Sequence, residues 1–150
     1  MENPKDLILI IFGASGDLAS RKLIPALFSL RVQKLLPGKF AIIGCGRTEF
    51  TDPEFRNKMK ESILSFSEEK DPDKELINEF TEYLSYLPMD NSKTSDFEKL
   101  KARLSEKVTE LKASSNFIFY MATPPSMYAI IAENLFAAGL TRQSEGFRRL

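Results

Sequence analysis

Leu7 to Phe12 contains six consecutive apolar residues, four of them isoleucine or leucine before the closing Ile-Phe pair, and Gly13 stops it. A strand with one wet face alternates apolar and polar side chains, so a short run with no polar member needs cover on both faces. That requirement points to a parallel sheet with helices packed on either side. The run is also far too short to cross a membrane as a helix or to serve as a signal-peptide core.

The residues that follow supply the helices. Leu18, Leu23, Leu27, Leu30 and Leu35 recur at near-helical spacing, with Pro25 expected to kink that helix or begin its regular part. Pro37 and Gly38 punctuate the chain before a second apolar run, Phe40 to Gly44. Thr51 with Glu54 predicts a capping box and Pro53 a first turn, opening a helix that buries Phe55, Met59, Ile63 and Phe66. Asp71 and Pro72 predict a second start, with Leu76, Phe80, Tyr83 and Leu84 at helical spacing, before a short strand from Leu84 to Met89. Ser95 with Glu98 predicts another capping box, and Phe97, Leu100, Leu104, Val108 and Leu111 share one face of the helix it opens. Asn116 to Met121 reads as a strand ended by Thr123, Pro124 and Pro125. Met127, Ile131, Leu135 and Ala138 mark a final helix closed by Gly139, with Leu140 placed for the contact beyond such a stop. Alternating strands and helices imply a doubly wound parallel α/β sheet, Rossmann-like, in one domain over residues 1–150. About four strands fit this length, and a further one starting at Phe147 to Leu150 would leave the sheet incomplete at its carboxyl end.

Composition narrows the function. The 21 basic and 21 acidic side chains cancel, so no global field favours nucleic acid or an anionic membrane, and any phosphate recognition is local. Cys45 is the single cysteine, which excludes an intrachain disulfide and a multi-cysteine metal site. The chain has no histidine, the usual proton-transfer residue at neutral pH, which favours a binding module. Met1 to Lys5 is polar and no targeting segment is expected, so the protein reads as cytoplasmic.

Gly13, Ala14, Ser15, Gly16, Asp17, Leu18, Ala19 and Ser20 lie between the first strand and the first helix. In such a unit a dinucleotide pyrophosphate rests against backbone amides and the positive end of the helix. Gly13 permits the tight turn, Gly16 lets backbone approach phosphate, and Ala19 lets helix and strand pack closely. Ser15 stands where the middle glycine of G-x-G-x-x-G would be, and a purely structural turn is the alternative reading. Arg47 follows the second strand where an acidic residue would hold the ribose of NAD; a guanidinium suits the 2′-phosphate of NADP and would contribute ~1.5 to 3 kcal/mol there. The plain alternative is a solvated arginine beside Glu49. Cys45 reads as a small buried hydrophobe.

Gly13-Ala-Ser-Gly-Asp-Leu-Ala19, followed by Arg21-Lys-Leu-Ile-Pro-Ala-Leu-Phe28, resembles the opening signature of the glucose-6-phosphate dehydrogenases. Gly46-Arg-Thr with Thr51-Asp is similar to that family's second-strand exit, and Phe119-Tyr-Met-Ala-Thr-Pro-Pro-Ser-Met-Tyr128 to its fourth-strand exit. The resemblance implies an NADP-binding domain in which Gly13 to Ser20 wrap the pyrophosphate and Arg47 meets the 2′-phosphate. It also implies that Asp90 and Asn91 lie near the adenosine, and that Ala122, Pro124 and Tyr128 flank the nicotinamide. From the residues alone, Asp90 could equally cap a turn and Tyr128 could be a core aromatic.

The family's substrate lysine, in a Glu-Lys-Pro segment, and its histidines are expected after Leu150, with Arg148 and Arg149 similar to the lead-in. The implied chemistry is hydride transfer from C1 of glucose 6-phosphate to NADP, the first step of the pentose phosphate pathway, in a parent protein expected to be a homo-oligomer. This chain would supply cofactor binding, no catalytic residue and no metal ligand. A redox-silent dinucleotide sensor or scaffold is the competing reading. A short-chain reductase is set aside because the residue four after Tyr128 is Ala132, not lysine.

Overall fold

The structure, a computed structural model, describes residues 5–143 and 146–150. Among them five strands form one sheet: β1 (Leu7–Phe12), β2 (Phe40–Gly46), β3 (Leu84–Pro88), β4 (Phe117–Met121) and β5 (Arg148–Arg149). Their order is β3-β2-β1-β4-β5, and every neighbouring pair is parallel. The connections carry a π-helical turn (Ala19–Leu23) leading into α1 (Ile24–Val32), then α2 (Asp52–Phe66), α3 (Lys74–Thr81), α4 (Thr94–Leu111) and, after a 3-10 turn (Pro125–Met127), α5 (Tyr128–Ala137). This is the expected Rossmann-like doubly wound fold, and β5 is the strand anticipated at Phe147 to Leu150. Residues 1–4, part of the polar start read from the sequence, lie outside the described residues.

The unbroken apolar run of β1 divides between two cores because successive side chains point to opposite faces. Ile8, Ile10 and Phe12 join Phe97, Leu100 and Leu104 of α4 and Ile131 and Leu135 of α5. Leu9 and Ile11 face the other way, toward Ala19, Phe28, Phe55, Met59, Ile63 and Phe80 from the helices between β1 and β3. Each such side chain, once buried, contributes about 1.5 to 3 kcal/mol, which is why β1 holds the centre of the sheet.

The turns and caps follow local chemistry. Thr51 Oγ1 accepts from Glu54 N at 3.2 Å while Glu54 Oε1 accepts from Thr51 N at 3.0 Å, the predicted capping box of α2. Gly139 has a φ of +76° and the amide of Leu140 donates to Leu135 O at 2.9 Å, closing α5 as expected with Leu140 buried.

Several expectations are corrected. Pro25 begins regular helix, but the turn before it is π-helical, because the Ile24 amide reaches back five residues to Ala19 O. The extra residue turns what precedes it about 100° around the axis relative to an unbroken α-helix, and Leu18 is exposed. Leu30 and Leu35 are exposed too, bordering an open apolar groove over Leu9, Ile118 and Tyr120. Phe66 ends α2 in solvent with the Arg21 guanidinium 5.1 Å above its ring. α3 is capped by Asp73, whose Oδ1 accepts from Glu75 N at 2.9 Å, two residues later than the start predicted at Asp71, which takes a left-handed φ of +46° outside the helix. The Ser95–Glu98 box does not form. A turn closed by Lys93 N to Asp90 O (3.1 Å) already delivers the chain into helix at Thr94, so Ser95 is inside α4.

Candidate functional site

β1 is flanked by β2 on one side and β4 on the other, so chain connections diverge above its carboxyl end. In an open α/β sheet that divergence leaves the crevice where ligands bind. Gly13 and Ala14 both donate to Cys45 O, at 2.9 and 3.0 Å, pinning the turn after β1 to the end of β2. On the other side Ala122 N donates to Phe12 O at 2.9 Å, which brings the exit of β4 against the same turn. Gly13 has a φ of +80°, and a β-carbon there would stand 2.5 Å from Ala122 O, so backbone and neighbour both demand glycine.

Gly16 is different. Its φ is not left-handed, and an added β-carbon would meet only Gly13 O, at 3.4 Å. The chain itself leaves that space free, as a site for close approach by a ligand requires. The Gly16 amide donates to Gly13 O at 3.0 Å, and the helical ladder begins with Ser20 N to Gly16 O at 3.2 Å. First-turn amides have no intrahelical acceptor, so those of Asp17, Leu18 and Ala19, which precede the first ladder bond, are left for a ligand at the positive end of the helix. Ala14 and Ala19 are buried, Ala14 beneath Gly44, where a β-carbon would come within 2.8 Å of it.

The remaining expected residues divide by position. Asp17 is highly exposed and pairs with Arg21 at 3.8 Å. Ser20 turns its hydroxyl to Ser62 on α2, 2.5 Å away, and its amide donates to Gly16 O, so both these groups serve the chain's own structure. Arg47 is exposed directly after β2 and forms no ion pair with Glu49 among the described residues. It borders a cavity shared with Asp90, and its charge helps hold the Asp90 carboxyl below its ordinary value. The larger causes are hydrogen bonds from the Ser92 hydroxyl and amide, at 2.7 and 2.9 Å. Asp90 does cap a turn, therefore, while facing the Arg47 side. Asn91 is buried, accepts from Asn134 Nδ2 through its carbonyl at 2.9 Å, and its own Oδ1 has no partner among the described residues. At the far end Ala122 is half-buried, Pro124 exposed and Tyr128 exposed at the start of α5, so Tyr128 is not a core aromatic.

Two residues at the crevice are not legible in the sequence as part of the site, where Thr123 reads only as one of the residues that end β4. Thr123 has a buried Oγ1 with no hydrogen-bond partner among the described residues, and its Cγ2 stands 3.0 Å from where a Gly13 β-carbon would lie. An orphaned hydroxyl beside the glycine turn fits a ligand's polar group. Tyr86 donates to Thr48 O at 2.7 Å and fixes the exit of β2; burial pushes its phenol up to about 12, with a hydrogen bond involving Ser15 opposing. Cys45 is fully buried and burial drives its thiol up to about 12, which removes it from thiolate chemistry at neutral pH. Among the described residues no group of histidine, cysteine, aspartate or glutamate could hold a metal ion, and no helix is long and apolar enough to cross a membrane.

A glycine turn at the switch point of a 3-2-1-4-5 parallel sheet, with a helix start aimed into the crevice, defines a dinucleotide-binding domain of the Rossmann type. Residues 10–150 match the family described as "Glucose-6-phosphate dehydrogenase, NAD binding domain". Glucose-6-phosphate 1-dehydrogenase of Treponema pallidum is 41% identical over 146 residues, covering 95% of this chain and 28% of the relative. That of Aggregatibacter actinomycetemcomitans is 37% identical over 142 residues, again 95% and 28%. A solved glucose-6-phosphate dehydrogenase in complex with its substrate glucose-6-phosphate superposes with a TM-score of 0.86 at 28% identity, over 99% of this chain and 30% of that one. The chain belongs to the glucose-6-phosphate dehydrogenase family and forms its nucleotide-binding domain, spanning less than a third of the length of these relatives.

Proposed function

We propose that this domain binds NADP for a glucose-6-phosphate dehydrogenase, which oxidises C1 of glucose 6-phosphate to the lactone. The amides of Asp17 to Ala19 and the Gly13–Gly16 turn would hold the pyrophosphate, with Ser20 anchoring the loop to α2. Arg47 would take the 2′-phosphate, with Asp90 and Asn91 beside the adenosine. Ala122, Pro124 and Tyr128 would flank the nicotinamide. When bound, the cofactor supplies the hydride acceptor; these residues bind and orient it. The observation that carries the reading is Arg47, exposed directly after β2 and without an ion pair among the described residues, on the β2 side of the crevice into which the first helix opens. A carboxylate there would favour NAD; a guanidinium favours the extra phosphate.

The proton acceptor and the sugar-phosphate contacts would come from elsewhere in the full-length, homo-oligomeric, cytoplasmic enzyme, since this chain has no histidine and covers 28% of its relatives. Residues 1–150 alone would then bind cofactor without turnover. The missing histidine also favours a second reading, a redox-silent dinucleotide sensor. Nicotinamide absorbance decides between them: the intact protein reduces NADP when given glucose 6-phosphate, and a protein that binds NADP tightly yet leaves it oxidised is the sensor. Failure of NADP to bind in calorimetric titration overturns both.

A further inference from the structure

The turn after β1 is held from α2 by a cation that the glycine motif does not announce. Lys58, half-buried on α2, sends its ammonium to Ser15 O at 3.1 Å, across 43 residues of sequence, and lies 5.2 Å from the centre of the Phe50 ring. No carboxylate pairs with it among the described residues. The acidic residues at the start of the same helix are committed elsewhere: Asp52 Oδ1 accepts from Tyr86 N at 2.8 Å, and Glu54 closes the capping box. An ammonium has three donors, and the carbonyl takes one. A partly desolvated lysine with spare donors and no counter-charge is poised for an anion.

The position identifies which anion. Ser15 Oγ lies 2.9 Å from where a β-carbon on Gly46 would stand, and Gly46 directly precedes Arg47. Ser15 thus links the two: its carbonyl accepts from Lys58 on α2, and its side chain lies against the exit of β2, where Arg47 borders the cavity shared with Asp90. We infer that Lys58 is a specificity-determining residue, a positive charge that joins Arg47 on the 2′-phosphate of the cofactor. The inference rests on the NADP reading above and adds a residue to it.

The test is calorimetric titration of the intact protein and its Lys58→Met and Lys58→Arg variants with NADP and with NAD. Lys58→Met should weaken NADP by about tenfold or more while NAD changes less than about twofold, and Lys58→Arg should restore most of the NADP affinity. Equal losses for both cofactors would show that the lysine only props the Ser15 carbonyl, and an unchanged NADP affinity would show that it meets no phosphate; either overturns the inference. Retained NAD binding shows that Lys58→Met still folds. Should it bind neither cofactor, Lys58→Gln at raised ionic strength gives the same comparison, and a salt dependence of NADP binding equal to the unsubstituted protein's overturns the inference. If the unsubstituted protein binds no NADP, the cofactor reading itself has failed, an outcome distinct from failure of Lys58 alone.

Discussion

The carbonyl of Ala122 occupies the space that a side chain on Gly13 would need: a β-carbon there would stand 2.5 Å from the oxygen, with φ at +80°. The tight turn after β1 and the exit of β4 are therefore one packed unit. Gly13→Ala should cost about 2 kcal/mol or more, from the left-handed backbone and the backbone clash together. Urea denaturation measures it; a loss below about 0.5 kcal/mol would mean that the turn can move away from β4.

Gly16 should behave in the opposite way. Its β-carbon would touch only Gly13 O at 3.4 Å and its φ is unstrained, so Gly16→Val should leave the fold intact by circular dichroism. The isopropyl group would then fill the room above the first-turn amides, and affinity for NADP and NAD should fall together, by about a hundredfold. Retained binding would show that phosphates do not rest on this turn.

How much of this could be read from the chain depends on which force sets each feature. The β1 run, the Thr51–Glu54 box and the Gly139 stop are local, and the sequence states them directly. Leu18 and Phe66 carry apolar side chains at the right period yet are exposed, because a π-turn and a helix end set their orientation. The start of α4 escaped since its preceding turn depends on Asp96 reaching back to the Asp90 amide at 2.7 Å, a contact that Ser95 and Glu98 do not reveal. The glycine turn and Arg47 were legible as a motif. Lys58 was not, because its bond to Ser15 O exists only once α2 lies beside the loop.

Arg47 is exposed and forms no ion pair among the described residues, so removing it breaks nothing in the fold. Arg47→Ala should leave the thermal midpoint nearly unchanged and weaken NADP by roughly ten- to a hundredfold, while NAD changes little. Titration with both cofactors checks this. Equal losses would move the guanidinium from the 2′-phosphate to the pyrophosphate.

The alkaline limit of stability should be set in part by Cys45. Its thiol is fully buried, and burial raises its pKa from 9.0 to about 12, opposed by the charge of Arg103. Below about pH 9 the thiol is protonated in both folded and unfolded chains and costs nothing. Between pH 9 and about 12 only the unfolded chain ionises readily, so the unfolded state binds fewer protons and stability falls as pH rises. The slope from one such group is about 1.4 kcal/mol per pH unit. Cys45→Ala removes the ionisable group at the cost of a small cavity, so its stability at neutral pH should be lower while its decline above pH 9 becomes shallower. Urea midpoints measured across that range for both proteins test this, and parallel declines would place the alkaline sensitivity elsewhere, with the raised phenol of Tyr86 the next group to examine.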